Sequence, residues 1–175
     1  MSITIRPETA ADTPLVEQLV WDTFGEAMLE RAAWHLRQGV PFDPDLALVA
    51  HDHCALVGSV SCTPIDVGGD RVMMLGPLVV VPERKGEGIG KALMEACMRR
   101  AHELPVERTG GLVLLVGDYD YYRRFGFRRV PDRQIVLPKP VDYARVLAVE
   151  LETGRLAQVR GMAGKLATRR EVGKD

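Results

Sequence analysis

One stretch of the chain leaves the fold little freedom. From Arg71 to Val81 the residues are almost all apolar, interrupted by Gly76 and Pro77, and the run stops at Pro82. Such a run predicts a central strand covered on both faces, because side chains on each side of the pleat need a dry neighbour. Directly after it comes a glycine-rich cationic turn, Arg84-Lys85-Gly86-Glu87-Gly88-Ile89-Gly90-Lys91. Ile89, Leu93, Ala96, Cys97, Ala101 and Leu104 then recur at helical spacing, which predicts a helix from about Gly88 to His102. A buried strand therefore passes into an amphipathic helix through a turn without bulk. The apolar run falls well short of the roughly 18 residues that a membrane span needs.

The rest of the chain supplies partners for that strand. Ile3 and Ile5 alternate with polar residues and predict a first strand. Thr13-Pro14 has the form of an N-cap followed by proline in the first turn, with Leu15, Val16, Leu19, Val20 and Phe24 at helical spacing behind it. A second helix is predicted from about Glu26 to Gln38, ended by Gly39 and Pro41. Strands are predicted over Leu46–Ala50 and Ala55–Thr63, and Gly68-Gly69-Asp70 is a hairpin signal before the central run. A short buried strand over Gly111–Val116, a helix over Tyr119–Arg124, and strands over Gln134–Leu137 and Val146–Leu151 follow. Helices interleaved with runs of strands call for an α+β fold built on a mixed sheet. With 175 residues, no repeat and no long linker, one domain is expected over 1–161, with a polar tail over 162–175.

Charge and cysteine usage exclude some classes of function. Lys and Arg total 23 against 24 Asp and Glu, so nothing suggests a nucleic-acid binder. Cys54, Cys62 and Cys97 show no paired spacing, which fits a reducing cytoplasm. The N-terminal residues show no cationic-then-apolar leader pattern. His51-Asp52-His53-Cys54 lacks the second ligand pair of a zinc site and is expected to be a polar turn, so no metal is expected.

The chemistry is expected at the glycine turn. Closely spaced glycines let a ligand approach the backbone, and the first turn of the helix offers unpaired N–H groups and a positive dipole end. That combination binds phosphate, and Arg84, Lys85 and Lys91 add positive charge. Two common nucleotide motifs do not fit. A P-loop requires glycine where Lys85 stands and a hydroxyl where Ala92 stands. A dinucleotide fingerprint requires G-x-G-x-x-G, whereas the glycines here are 86, 88 and 90.

The segment Lys85-Gly86-Glu87-Gly88-Ile89-Gly90 resembles motif A of the GNAT superfamily of acyl-CoA N-acyltransferases, [QR]-x-x-G-x-[GA], with Lys85 in place of Gln or Arg. A second block, Gly117-Asp118-Tyr119-Asp120-Tyr121-Tyr122-Arg123-Arg124-Phe125-Gly126-Phe127, resembles motif B and the G-D-x-x-Y-Y-x-R-F-G-F pattern of a bacterial subfamily described as predicted N-acetyltransferases. The resemblance runs from Ile3 to about Gly161. It implies a mostly antiparallel mixed sheet whose fourth and fifth strands splay apart, with helices on both faces. It implies that acetyl-CoA lies in the splay, its pantetheine arm on the backbone of Leu78, Val79 and Val80 and its diphosphate on Lys85, Gly86, Glu87, Gly88, Ile89, Gly90 and Lys91.

The reaction so implied is direct attack of a primary amine on the thioester. It needs a route for the amine proton, a donor for the tetrahedral oxyanion and a donor for the leaving thiolate. The resemblance puts Tyr122 in the general-acid role, with Tyr121 as competitor, and a backbone N–H near Val79 at the oxyanion. Asp66, Glu26 and Glu30 flank the expected acceptor side, but a water chain is the favoured base. The acceptor is expected to be a small-molecule or peptide amine, bordered by residues 24–44, and a homodimer through an edge strand stays open. A noncatalytic acyl-CoA sensor is the alternative, and a small nucleotide-binding protein a third.

Overall fold

The computed structural model describes residues 2–166. Strand β1 spans Ile3–Pro7 and helix α1 spans Thr13–Phe24. The cap position of α1 is Asp12 rather than Thr13, and its carboxylate does not cap. It turns back to Arg6, at 2.7 and 3.0 Å, and to the Thr9 amide and hydroxyl, both at 2.8 Å. The single helix expected over 26–38 is divided. Gly25–Glu30 is a 3₁₀ segment with no buried residue, Arg31 is extended, and helix α2 covers Ala32–Arg37. Only Ala32 and Leu36 are buried, one turn apart, so nothing holds the first half against the core.

Strands β2 (Ala47–Asp52), β3 (Ala55–Val67) and β4 (Asp70–Val80) form an antiparallel meander. Helix α3 (Ile89–Glu103) follows, then the single turn α4 (Val106–Thr109), β5 (Leu112–Val116) and α5 (Tyr119–Tyr122). The chain continues through β6 (Arg128–Arg129), β7 (Ile135–Val136), β8 (Val146–Glu150), α6 (Arg155–Gln158) and β9 (Gly161–Lys165). The main strand order is β1-β2-β3-β4-β5-β8-β6, with β9 paired to β3 and β7. Within that main order, β4 and β5 form the parallel pair in an otherwise antiparallel sheet, the mixed α+β architecture expected.

The expected boundary at 161 needs correction. Residues 161–165 form β9, with Ile65 opposite Lys165 and Val67 opposite Ala163, so the sheet continues past the point where a tail was expected. The sequence Gly161-Met162-Ala163-Gly164-Lys165 is weakly strand-forming, and its strand state is set by the β3 edge beside it. Positions 167–175 of the expected tail lie outside the described residues.

The central strands explain why their sequences read as unbroken apolar runs. Met73, Leu75, Val113 and Leu115 face α3, packing with Leu93, Met94 and Cys97. Val72, Met74, Leu112 and Leu114 face the other way, against α2 and the C-terminal elements. Both faces are dry, so both sets of alternate positions are apolar. No helix among the described residues is long and apolar enough to cross a membrane.

Candidate active site

The pairing of β4 with β5 is short. It joins Met73 to Val113 and Met74 to Leu114 and then ends. On its other side β4 stays paired with β3, but the register shifts: Cys62 faces Leu75, and Val60 faces Leu78. Gly76 and Pro77 therefore lie opposite Ser61 alone, an extra residue that bends the strand. Gly76 has a φ of 129°, which favours glycine, and its carbonyl accepts a 3.3 Å bond from the Ser61 hydroxyl. Past this bulge β4 leaves β5, and a cavity of about 580 Å³ opens between Gly76-Pro77-Leu78 and Val116-Gly117-Asp118.

The backbone groups facing that opening follow from strand alternation. The Val81 amide donates to the Val57 carbonyl at 3.0 Å, which directs Val81, and by alternation Val79, toward β3. The amides and carbonyls of Leu78 and Val80 then point away from β3, toward the edge that β5 has vacated. Of the three strand residues expected at the cofactor, Leu78 and Val80 are brought to the site. Val79 is not: it is 2% exposed, and its polar backbone belongs to the β3–β4 ladder.

The open edge leads to the glycine turn. Gly86 and Gly88 have φ of 85° and 83°, and Gly88 is the residue before the first turn of α3. The turn and the helix start border a cavity of about 450 Å³, shared with Leu78, Val80, Arg124 and Tyr121. The expected Lys85, Gly86, Gly88, Ile89, Gly90 and Lys91 all line it. The first turn of α3 contains no acidic residue, so nothing offsets its positive end. Ile89 contributes backbone only, since its side chain is 3% exposed in the core. Glu87 is turned aside, accepting from Arg84 Nε at 2.6 Å, while Arg84 also pairs with Asp52 at 2.8 Å. Arg124 is a cation of this rim that sequence reading passed over. Its Nε donates to the Tyr121 carbonyl at 3.0 Å and its guanidinium lies 5.0 Å from the Tyr121 ring centre.

Both tyrosines of the second motif are at the site. Tyr121 borders both cavities, and its hydroxyl would lie 3.2 Å from a Cβ placed on Gly90. Tyr122 borders the wedge. Its ring packs at right angles to Tyr121, with centroids 4.9 Å apart, and edge-on to Phe127 at 6.0 Å. A Cβ on Gly117 would stand 2.5 Å from its Cε2, so glycine is what lets the ring occupy this place. Burial pushes the Tyr122 hydroxyl up to about 12, aided by Tyr121 and opposed by Arg145. Burial raises Tyr121 as well.

Several polar residues fall elsewhere. Asp66 accepts from the Gly69 amide at the far hairpin of β3 and β4, and Glu26 and Glu30 are exposed on the 3₁₀ segment. The carboxylates that line the cavities are Asp118 and Asp142 at the wedge, and Glu8 and Glu17 at a neighbouring cavity of about 640 Å³. His51 is 3.4 Å from Asp12 and belongs to the Arg6–Asp12 network. Among the described residues no three His, Cys, Asp or Glu side chains cluster as metal ligands.

The sequence model of the acetyltransferase (GNAT) domain matches residues 43–129, from just before β2 to the end of β6. The chain belongs to the GNAT acetyltransferase family. The GNAT match contains both strands that bound the wedge, the glycine turn and both tyrosines. An uncharacterized N-acetyltransferase of Escherichia coli K12, YhbS, is 29% identical over 126 residues, which cover 70% of this chain and 72% of that protein. The crystal structure of E. coli YhbS in complex with CoA shares the fold with a TM-score of 0.76 at 24% identity, covering 94% of this chain and 89% of the other. A GNAT acetyltransferase from Brucella melitensis in complex with acetyl-CoA has a TM-score of 0.64 at 22% identity, with 95% and 97% covered.

Proposed function

We propose that the protein is an acetyl-CoA-dependent N-acetyltransferase of the cytoplasm that passes an acetyl group directly to a primary amine. The observation that carries this reading is the vacated edge of β4 running into the start of α3. An extended pantetheine arm can pair with the backbone of Leu78 and Val80 as an added strand, and the diphosphate can rest on the amides of the glycine turn. The CoA and acetyl-CoA complexes of the two similar structures support the choice of ligand.

The residues then divide the work. An amide facing the wedge, from Leu78 or Val80, donates to the oxyanion formed when the amine attacks the thioester carbonyl. Tyr122, with its proton held up to about 12, is a neutral hydroxyl at every working pH. A thiol titrates near 8.5, roughly 3.5 units lower, so full transfer from the tyrosine to sulfur costs about 5 kcal/mol. Tyr122 therefore stabilises the departing thiolate as a hydrogen-bond donor, and solvent completes the protonation. The amine sheds its proton into a water chain on the acceptor side.

Calorimetry with acetyl-CoA, followed by measurement of free thiol release across a panel of amines, tests the reading. Saturable binding and amine-dependent thiol release are expected. Binding with no release on any amine identifies a cofactor sensor, and no binding at all removes the proposal.

A further inference from the structure

Arg37, the last residue of α2, lacks the counter-charge that four other partly buried arginines of this fold have. Arg6 pairs with Asp12, Arg84 with Asp52 and Glu87, Arg108 with Asp43 and Asp45, and Arg155 with Asp70. Arg37 has no hydrogen-bond or ion-pair partner among the described residues. It is nevertheless half-buried, and its Nη1 would lie 2.9 Å from a Cβ placed on Gly76 at the β4 bulge. It borders both the wedge cavity and the adjoining 640 Å³ cavity. Arg31 lines the wedge beside it, with its guanidinium 4.8 Å from the Phe24 ring centre. Burial, with repulsion from Arg31, pulls the Arg37 group down to about 10, so it remains charged at neutral pH. The two carboxylates at the wedge cavity are otherwise engaged, Asp118 accepting from the Asp120 amide at 3.1 Å and Asp142 from the Ala144 amide at 3.0 Å. At the adjoining cavity, which Glu17 also lines, Glu8 accepts from the Thr13 hydroxyl at 2.8 Å.

A desolvated guanidinium without a counter-charge is a cost to the fold unless something supplies the charge. We infer that the acceptor amine carries an oxyanion, a carboxylate or a phosphoryl group, which Arg37 grips with Arg31 alongside. The planar fork of arginine matches either group with two parallel hydrogen bonds. This rests on the acetyl-transfer reading and narrows it to a substrate class. The Gly76 bulge and the Leu78 amide are two residues apart, roughly 7 Å along a strand. Anion and reacting amine are thus separated by only a few bonds, which describes a compact molecule such as an amino acid or a phosphorylated small amine.

Matched acceptors test the inference. Thiol release is measured with glycine against glycinamide, and with phosphoethanolamine against ethanolamine, for wild type, Arg37→Gln and Arg37→Lys. Wild type is expected to prefer one anionic member at least tenfold in kcat/KM, and which pair shows it separates carboxylate from phosphoryl. Arg37→Gln should abolish the preference, and Arg37→Lys should retain part of it, with acetyl-CoA affinity and melting temperature not reduced in either. In parallel, N-acetylglycine and N-acetylglycinamide are titrated into CoA-loaded and free wild-type protein and Arg37→Gln. Tighter binding of the carboxylate, lost in the variant, is expected. Equal or absent binding of the two, preference for the neutral amines, or discrimination that survives Arg37→Gln overturns the inference and leaves acetyl transfer standing. Failure to bind acetyl-CoA removes the transfer reading, and the titration on free protein still judges the anion site.

Discussion

At the scale of single residues, Gly117 and Tyr122 act as a unit. The tyrosine ring fills the space a Cβ on Gly117 would take, with Cε2 2.5 Å away, so Gly117→Ala has to displace it. A hydrogen bond to a charged group contributes about 1.5–3 kcal/mol. Tyr122→Phe is therefore expected to lower kcat about tenfold to a hundredfold while leaving acetyl-CoA affinity within twofold. Gly117→Ala should lower kcat in the same direction through misplacement of the ring. Steady-state kinetics with direct cofactor titration checks both, and unchanged kcat in Tyr122→Phe takes that residue out of the reaction. Asp12 is a second such centre, structural rather than chemical. Hydrogen bonds from Arg6, then from Thr9, hold its carboxyl well below the usual range against the opposing effect of burial. A depressed pKa contributes stability above the unfolded value of about 3.9, and that stability drains away as pH falls further through the folded value. Asp12→Asn should cost about 2 kcal/mol near pH 7. The gap to wild type should narrow below about pH 4 in denaturant titrations, and a gap that widens on acidification contradicts the assignment.

At the scale of elements, the glycine turn and α3 were legible because everything they need is local. Gly86, Gly88 and Gly90, the neighbouring lysines and the apolar spacing of the helix all stand within one window of sequence. The site around them was less so. Gly76 and Pro77 are visible as a break in the apolar run, but the sequence does not say which neighbouring strand the bulge turns away from. Whether Leu78, Val79 or Val80 turns its backbone to the open edge is a matter of strand parity, which depends on which residue opposes which. Arg124 and Arg37 were passed over because unpaired and solvated cations are written with the same letter. Strand β9 lacks a strand-like composition and is fixed by distant partners. The cation rim supplies a prediction of its own. Lys85, Lys91 and Arg124 border the cavity beside the helix start, where exposed charges are screened by salt. Acetyl-CoA affinity should fall as ionic strength rises, and Arg124→Gln should weaken binding about two- to fivefold at low salt and flatten that dependence. An Arg124→Gln variant with wild-type affinity and salt dependence places the cation outside the binding face.

At the scale of the molecule, one sheet serves two purposes. Its two apolar faces hold α3 on one side and α2 with the C-terminal strands on the other, so the central strands cannot be opened without exposing both cores. Yet the β4–β5 seam is closed over only two residue pairs and left unzipped beyond them, and the bulge at Gly76-Pro77 keeps it so. The ladder to β3 carries the strength of β4, and the other edge is free to take a guest strand. Amide hydrogen exchange reads this division directly. In the free protein the Val79 and Val81 amides, bonded toward β3, should be strongly protected, while those of Leu78 and Val80 exchange faster. Saturating acetyl-CoA should slow Leu78 and Val80 selectively. At a concentration 100 times Kd it should also add about 2.7 kcal/mol to the unfolding free energy. Uniform slowing along β4 would mean that the ligand acts by global stabilisation alone, and the added-strand geometry would then have to be abandoned.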